Sequence, residues 1–212
     1  MNSFVEKLLL GFLFLLSLLI TACDKQEPQK IKHNTQQQSL SKERKQECQR
    51  IKSMPHKYRM DKYRAPTPAC VPHGITINTD ELTKLLKQQP RPILIDVLSV
   101  MSRPNTEFGE GQWIPNKERL SLLNSVWLPN VGYGYLDAEM DEYFKNQLEK
   151  LTLNKKHKAL VFFCIADCWM SWNAVQRAHS YGYTNVYWYK NGTDGWGNMG
   201  LELQKIDPIP ML

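Results

Sequence analysis

One stretch constrains this chain more than any other: Lys158-Ala-Leu-Val-Phe-Phe163-Cys164-Ile-Ala-Asp-Cys168-Trp169-Met-Ser-Trp172. The β-branched and aromatic run up to Phe163 is short and apolar on both faces, which predicts a strand buried within a sheet. Beyond it, Trp172, Val175, Ala178 and His179 recur at helical spacing until Gly182 supplies a stop. The two cysteines therefore sit on a strand–loop–helix corner. Such a corner aims unpaired backbone N–H groups and the positive end of the helix dipole at its occupant, biasing a cysteine there toward the nucleophilic thiolate. The competing reading makes Cys164 and Cys168 inert core residues, since free cysteine is among the most buried residue types.

Strands and helices alternate through the rest of the chain. Thr79 to Leu86 has a cap residue in Thr79, early acids and helical apolar spacing, and Pro90 blocks its continuation. Ile93 to Val97 predicts a buried strand ending near Asp96. Ser99 to Asn124, rich in Pro, Gly and Asn, predicts an excursion loop. Val126 to Leu128 predicts a strand, Asp137 to Leu151 an amphipathic helix, and Asn185 to Tyr189 a further strand. Alternation of this kind implies an α/β fold with a central parallel sheet covered on both faces. Ligands of such sheets collect at the carboxyl ends of the strands, where Asp96 and Cys164 both fall.

The N-terminus predicts a compartment. Lys7 precedes an apolar run from Leu8 to Ile20, of signal-peptide length and shorter than a membrane span. It closes on Ile20-Thr-Ala-Cys23, which resembles the lipobox of bacterial lipoproteins. The resemblance implies that residues 1–22 are removed, that Cys23 is lipidated, and that the protein is held in the periplasm by lipid. Asp24 resembles the residue that retains many such lipoproteins on the inner membrane. An ordinary cleaved signal is the alternative.

From 23 to 53 the composition turns to Gln, Lys, Glu, Asn and Ser, which predicts a flexible tether. Eight basic residues oppose four acidic ones between Asp24 and Ser53, so most of the net charge of +6 lies there. That placement argues against a nucleic-acid-binding domain and for attraction to an anionic lipid surface, or for a merely solvated linker. Residues 54–212 have the length of one domain, with 54–78, aromatic and proline-rich, as an extended arm. In an oxidising compartment Cys48, Cys70, Cys164 and Cys168 tend to pair, and three connectivities are open.

The order and spacing of Leu94-Ile-Asp96-Val97, Val126-Trp-Leu-Pro129, Val161-Phe-Phe-Cys164, Gly182-Tyr-Thr-Asn-Val186 and Gly192-Thr-Asp-Gly-Trp196 resemble the rhodanese domain. Within that superfamily the chain is similar to the CXXCW-motif proteins associated with PQQ-dependent catabolism. The residues that carry this are Tyr58-Arg-Met-Asp, Tyr63-Arg-Ala-Pro66, Trp127 to Gly134, Ala166 to Ala174 and Trp188 to Trp196. The resemblance implies a three-layer α/β sandwich and partners among PQQ-dependent dehydrogenases or their cytochromes c.

In active rhodaneses the cysteine begins a loop whose amides hold a persulfide, and an arginine five residues on binds the anionic donor. Here Cys164 matches the nucleophile, Trp169 stands in the arginine position, and Asp167 adds a negative charge. Loss of a bidentate cation and gain of repulsion disfavour thiosulfate by roughly 1–3 kcal/mol. The leading expectation is a thiol redox or sulfur-relay protein. Cys164 acts, Cys168 resolves one helical turn away, Ile165, Ala166, Asp167 and Trp169 form the substrate loop, and Asp96 supports it. Two alternatives remain: copper handling by the Cys-x-x-x-Cys pair with Met170 or His179 nearby, and a non-catalytic module whose tryptophans, Trp169 foremost, form an interface. Asp194 is expected to fix a turn. There is no phosphate-binding glycine loop, and no motif calls for a bound cofactor or resident metal.

Overall fold

The computed structural model describes residues 42–51 except 44, 54–102 except 56, and 113–211. The leader, Cys23 and most of the basic stretch lie outside the described residues. The chain divides into two units, Met1–Lys45 and Gln46–Leu212. In the first, residues 42, 43 and 45 are helical.

Five short strands build its central sheet: β1 (Ile75–Ile77), β2 (Ile93–Asp96), β6 (Val126–Trp127), β7 (Leu160–Phe163) and β8 (Val186–Tyr189). They lie in the order β1-β8-β7-β2-β6, and every neighbouring pair is parallel. The intervening helices are α1 (Thr79–Leu85), α2 (Ala138–Thr152), α3 (Trp169–Ser180) and α4 (Gly192–Asn198). β7 occupies the middle of the sheet and all four of its residues are buried. Its alternation sorts the core into two layers. Leu160 and Phe162 join Ile95, Trp188, Phe144 and Leu148 of α2, and Val175 and Ala178 of α3. Val161 and Phe163 join Leu94, Tyr189, Leu82 of α1 and Trp196 of α4. The result is a three-layer α/β sandwich around a parallel sheet, as expected.

Local chemistry accounts for the helix boundaries. Asp137 caps α2, its carboxylate accepting from the Met140 amide at 2.8 Å. At α1 the cap is Asn78, not Thr79: Asn78 and Glu81 exchange side-chain hydrogen bonds with each other's amides, a reciprocal capping box, while Thr79 is buried against the Tyr189 hydroxyl. Gly182 adopts φ +89° just beyond α3, a conformation that a glycine takes without steric cost.

Four further expectations are corrected. Residues 99–124 are not a plain loop. The stretch contains β3 (Met101–Ser102), β4 (Trp113–Ile114) and β5 (Arg119–Leu122); β3 pairs with β4, and β5 pairs antiparallel with β9 (Leu203–Ile206). The basic stretch is not all tether: residues 46–51 are helical, Ile51 is buried, and Cys48 is bonded to Cys70. An apolar side chain and a covalent bridge bind that segment where composition alone predicts solvation. The stretch 54–78 ends in β1, an edge strand of the sheet, and Asp194 lies in the first turn of α4.

Candidate functional site: the disulfide loop at the end of β7

Cys164 follows β7 directly and Cys168 is the N-cap of α3. The two are disulfide-bonded. Cys168 makes no side-chain capping bond, so in the oxidised state the first turn of α3 receives no acceptor from its cap residue. Reduction supplies one, because a Cys168 thiolate sits where helix N–H groups and dipole favour negative charge.

Asp96 ends β2, the strand beside β7, and is fully buried. Its Oδ2 accepts from Arg119 Nε at 2.7 Å and from Ser121 Oγ at 2.7 Å, and forms an ion pair with Arg119 Nη2 at 2.6 Å; Oδ1 accepts from the Leu98 amide at 3.0 Å. Burial pushes the Asp96 carboxyl up from its ordinary value, and Arg119, Ser121 and Leu98 pull it back. A neutral Asp96 would leave Arg119 an uncompensated buried cation, so the pair is ionic. Arg119 Nη2 also donates to the Cys164 carbonyl at 3.3 Å, which ties the pair to the first residue of the loop. Asp96 is thus a supporting residue without contact to either sulfur among its hydrogen bonds.

The loop is held from both sides. From α4, the Thr193 amide donates to the Cys164 carbonyl at 3.0 Å, and Asp194 Oδ2 accepts from the Ala166 amide at 3.0 Å. Gly192, at φ +57°, presses so close that a Cβ there would lie 2.7 Å from the Cys164 carbonyl oxygen and 2.6 Å from the Ile165 carbonyl carbon. From the arm, Arg64 Nη1 donates to the Ala166 carbonyl at 2.6 Å, and the Trp169 amide donates to the Tyr63 carbonyl at 2.9 Å. The Thr67 amide and hydroxyl both donate to Asp167 Oδ1, at 3.2 and 3.3 Å. These bonds hold Asp167 in the left-handed region at φ 48°, which costs a non-glycine residue on the order of 1 kcal/mol.

The expected substrate-loop residues separate in the structure. Ile165 and Ala166 are half-buried, and Asp167 is exposed but turned to Thr67. Trp169 is half-buried between the Arg59 guanidinium, 5.1 Å from its ring centroid, and Trp172, at 5.0 Å. The sulfurs are unequal. Cys164 is fully buried, whereas Cys168, although only 2% exposed, forms part of the wall of a cavity of about 380 Å³. Its apolar walls are Tyr63, Leu98, Tyr133 and Met170; its charged ones are Lys62 and Arg64.

For the copper alternative, no group of three or more His, Cys, Asp or Glu among the described residues could hold a metal ion, and His179 stacks on His73 at 4.8 Å.

Residues 78–199 match the rhodanese-like domain family model. The chain belongs to the rhodanese-like domain family. None of the curated proteins compared with it matches. Among solved structures, the polysulfide-sulfur transferase homodimer of Wolinella succinogenes is 17% identical, with a TM-score of 0.37; the match covers 64% of this chain and 80% of that one. The thiosulfate sulfurtransferase of Pseudomonas aeruginosa is 16% identical, with a TM-score of 0.41, and the match covers 64% of this chain and 21% of that one. An uncharacterized protein of Saccharomyces cerevisiae is 19% identical, with a TM-score of 0.39, over 59% of this chain and 92% of that one.

Within this rhodanese-like domain, Arg119, Ser121, Arg64, Thr193 and Asp194 bear on the loop without having been assigned to it by sequence reasoning. Arg119-Leu-Ser-Leu122 alternates polar and apolar residues as a half-buried strand does, but that pattern turns Arg119 and Ser121 to solvent, whereas both are buried and Leu120 is exposed.

Proposed function

We propose that this rhodanese-like protein is a thiol redox or sulfur-relay protein that works through the Cys164–Cys168 pair. The observation that carries the reading is the pairing of the two cysteines within the loop between β7 and α3. A bonded Cys164 has no thiolate to carry a persulfide, so its chemistry starts with opening of the disulfide. The surroundings favour thiol exchange over capture of an anionic sulfur donor. Trp169 stands in the arginine position, and the Asp194 carboxylate occupies the Ala166 amide, one of the donors that a persulfide loop would offer.

The reading extends to location and partner. The lipobox-like Ile20-Thr-Ala-Cys23 supports export and a lipid anchor on the periplasmic face of the inner membrane. Two disulfides are what an oxidising compartment favours. The family resemblance of the Tyr58, Tyr63, Trp127 and Trp188 motifs supports a place beside a PQQ-dependent dehydrogenase or its cytochrome c in alcohol catabolism. Palmitate labelling that persists in Cys23→Ser refutes the anchor. In-cell crosslinking during growth on an alcohol that captures neither partner refutes the association.

The redox role is tested by the midpoint potential of the pair in the full-length protein, read by thiol trapping across a graded glutathione series. The expected result is a reversible two-electron couple at roughly −120 to −270 mV, absent in Cys164→Ser. A pair that stays oxidised below about −300 mV refutes the reading.

A further inference from the structure

We propose that Cys168, not Cys164, is the sulfur attacked by an incoming thiolate, and that the thiol suited to this cleft is anionic with an apolar body. This rests on the redox reading above and assigns the order of its steps. Cys164 is fully buried, with Gly192, Thr193 and Arg119 packed against its carbonyl, and it does not line either cavity at this end of the sheet. Cys168 lines the 380 Å³ cavity, which is thus the approach to the disulfide from outside. A second cavity, of about 430 Å³, lies beside the first and shares Ser99 and Tyr133 with it.

Charge narrows the class of thiol. Lys62 and Arg64 are the charged residues in the wall of the first cavity, and both are cations. Among the described residues no carboxylate lines this cavity: Asp61 pairs with Arg59, and Asp167 and Asp194 keep their charge but turn to Thr67 and to the Ala166 amide. An anion entering this cleft meets two positive charges beside apolar and aromatic walls.

A thiolate RS⁻, its proton lost to solvent, attacks Cys168 Sγ; an RS–Sγ168 bond forms, the Sγ168–Sγ164 bond breaks, and Cys164 leaves as thiolate. A second thiolate, from the same dithiol or another monothiol molecule, then attacks the sulfur of R. Cys168 leaves as thiolate at the N-cap of α3. Two thiols are oxidised to one disulfide while the cysteine pair gains two electrons and takes up protons to the extent that its thiolates titrate. Run backwards, the same steps oxidise the Cys164–Cys168 dithiol to the disulfide and reduce a substrate disulfide to two thiols.

The test treats full-length oxidised protein with limiting 2-mercaptoethanesulfonate, quenches with acid, alkylates free thiols and maps both cysteines by peptide mass spectrometry. The expected result is an adduct on Cys168 and alkylation at Cys164, with at least tenfold bias. In parallel, oxidised protein is opened with 2-mercaptoethanesulfonate or with cationic cysteamine at equal thiolate concentration. The anionic thiol is expected to react several-fold faster, by a margin that shrinks as salt is raised. An adduct chiefly on Cys164, or equally on both, overturns the order of attack while leaving the redox reading intact. Equal or faster opening by cysteamine overturns the charge assignment. A disulfide that neither thiol opens overturns the redox reading itself.

Discussion

Arg119→Met is the most searching perturbation of the architecture beneath the loop. It preserves an apolar stem but removes the charge and two of the four donors that converge on Asp96. Asp96 is fully buried and Arg119 is 9% exposed, so little solvent can enter to compensate. Breaking a buried ion pair by deleting one partner costs about 3–5 kcal/mol. For a domain of this size each kcal/mol lowers Tm by roughly 2–4 °C, so Tm should fall by about 6–20 °C.

The loss should also depend on pH. Burial already holds the Asp96 carboxyl above its unfolded value, so the native state binds the proton more readily than the unfolded chain does. Its contribution to stability is therefore lost as pH rises from the unfolded value through the folded one. Without Arg119, the largest opposing influence, the carboxyl climbs further, at about 1.4 kcal/mol per unit. The variant's deficit should consequently be larger at pH 8 than at pH 5. Urea unfolding followed by tryptophan fluorescence at both pH values measures this. Pairing the variant with Asp96→Asn, which removes the stranded charge, should recover part of the loss. A deficit below about 1 kcal/mol, one that is equal at both pH values, or no recovery in the double variant would refute the argument.

Two further predictions concern the supports of the loop. Gly192→Ala places a Cβ against the backbone of Cys164 and Ile165 at a positive φ, so it should destabilise by about 2 kcal/mol or more and change the rate of disulfide reduction; a melting curve and reduction rate like wild type would show that the close approach is dispensable. Replacing Cys48 and Cys70 together by Ser removes a crosslink between residues 22 apart in sequence, which by the chain-entropy argument should cost about 3 kcal/mol, and should leave the midpoint potential of Cys164 and Cys168 unchanged; a shift in that potential would mean that the two bridges are coupled.

Sequence reasoning reached what is written in neighbouring residues and missed what is written across the fold. β2, β7, β8, α2 and α3 were legible because strand runs, helical spacing, the Asp137 cap and the Gly182 stop are local signals. The cysteine corner was legible for the same reason. β5 was not: its four residues pair with β9, from the other end of the domain, and its buried arginine shows its purpose only when placed against Asp96. α4 was hidden by composition, since Gly192-Thr-Asp-Gly-Trp-Gly-Asn198 contains three glycines, each costing about 1 kcal/mol in a helix. Burial of Trp196 in the layer with Leu82 and Phe163 offsets that cost and sets the helix against the loop.

These missed contacts also give the two cysteines different surroundings. The corner motif treats its two cysteines as a strand-end residue and a helix cap and gives no reason to rank their exposure. In the fold, α4 and β5 meet the Cys164 carbonyl, while the arm contributes Lys62, Tyr63 and Arg64 to one side of the cavity that Cys168 lines. Because the arm contributes both cavity wall and hydrogen bonds to the loop, a change that loosens it should alter access to Cys168 before it disturbs the sheet. On the proposed order of attack, the roles of the two thiols follow from tertiary packing around the corner rather than from the motif itself.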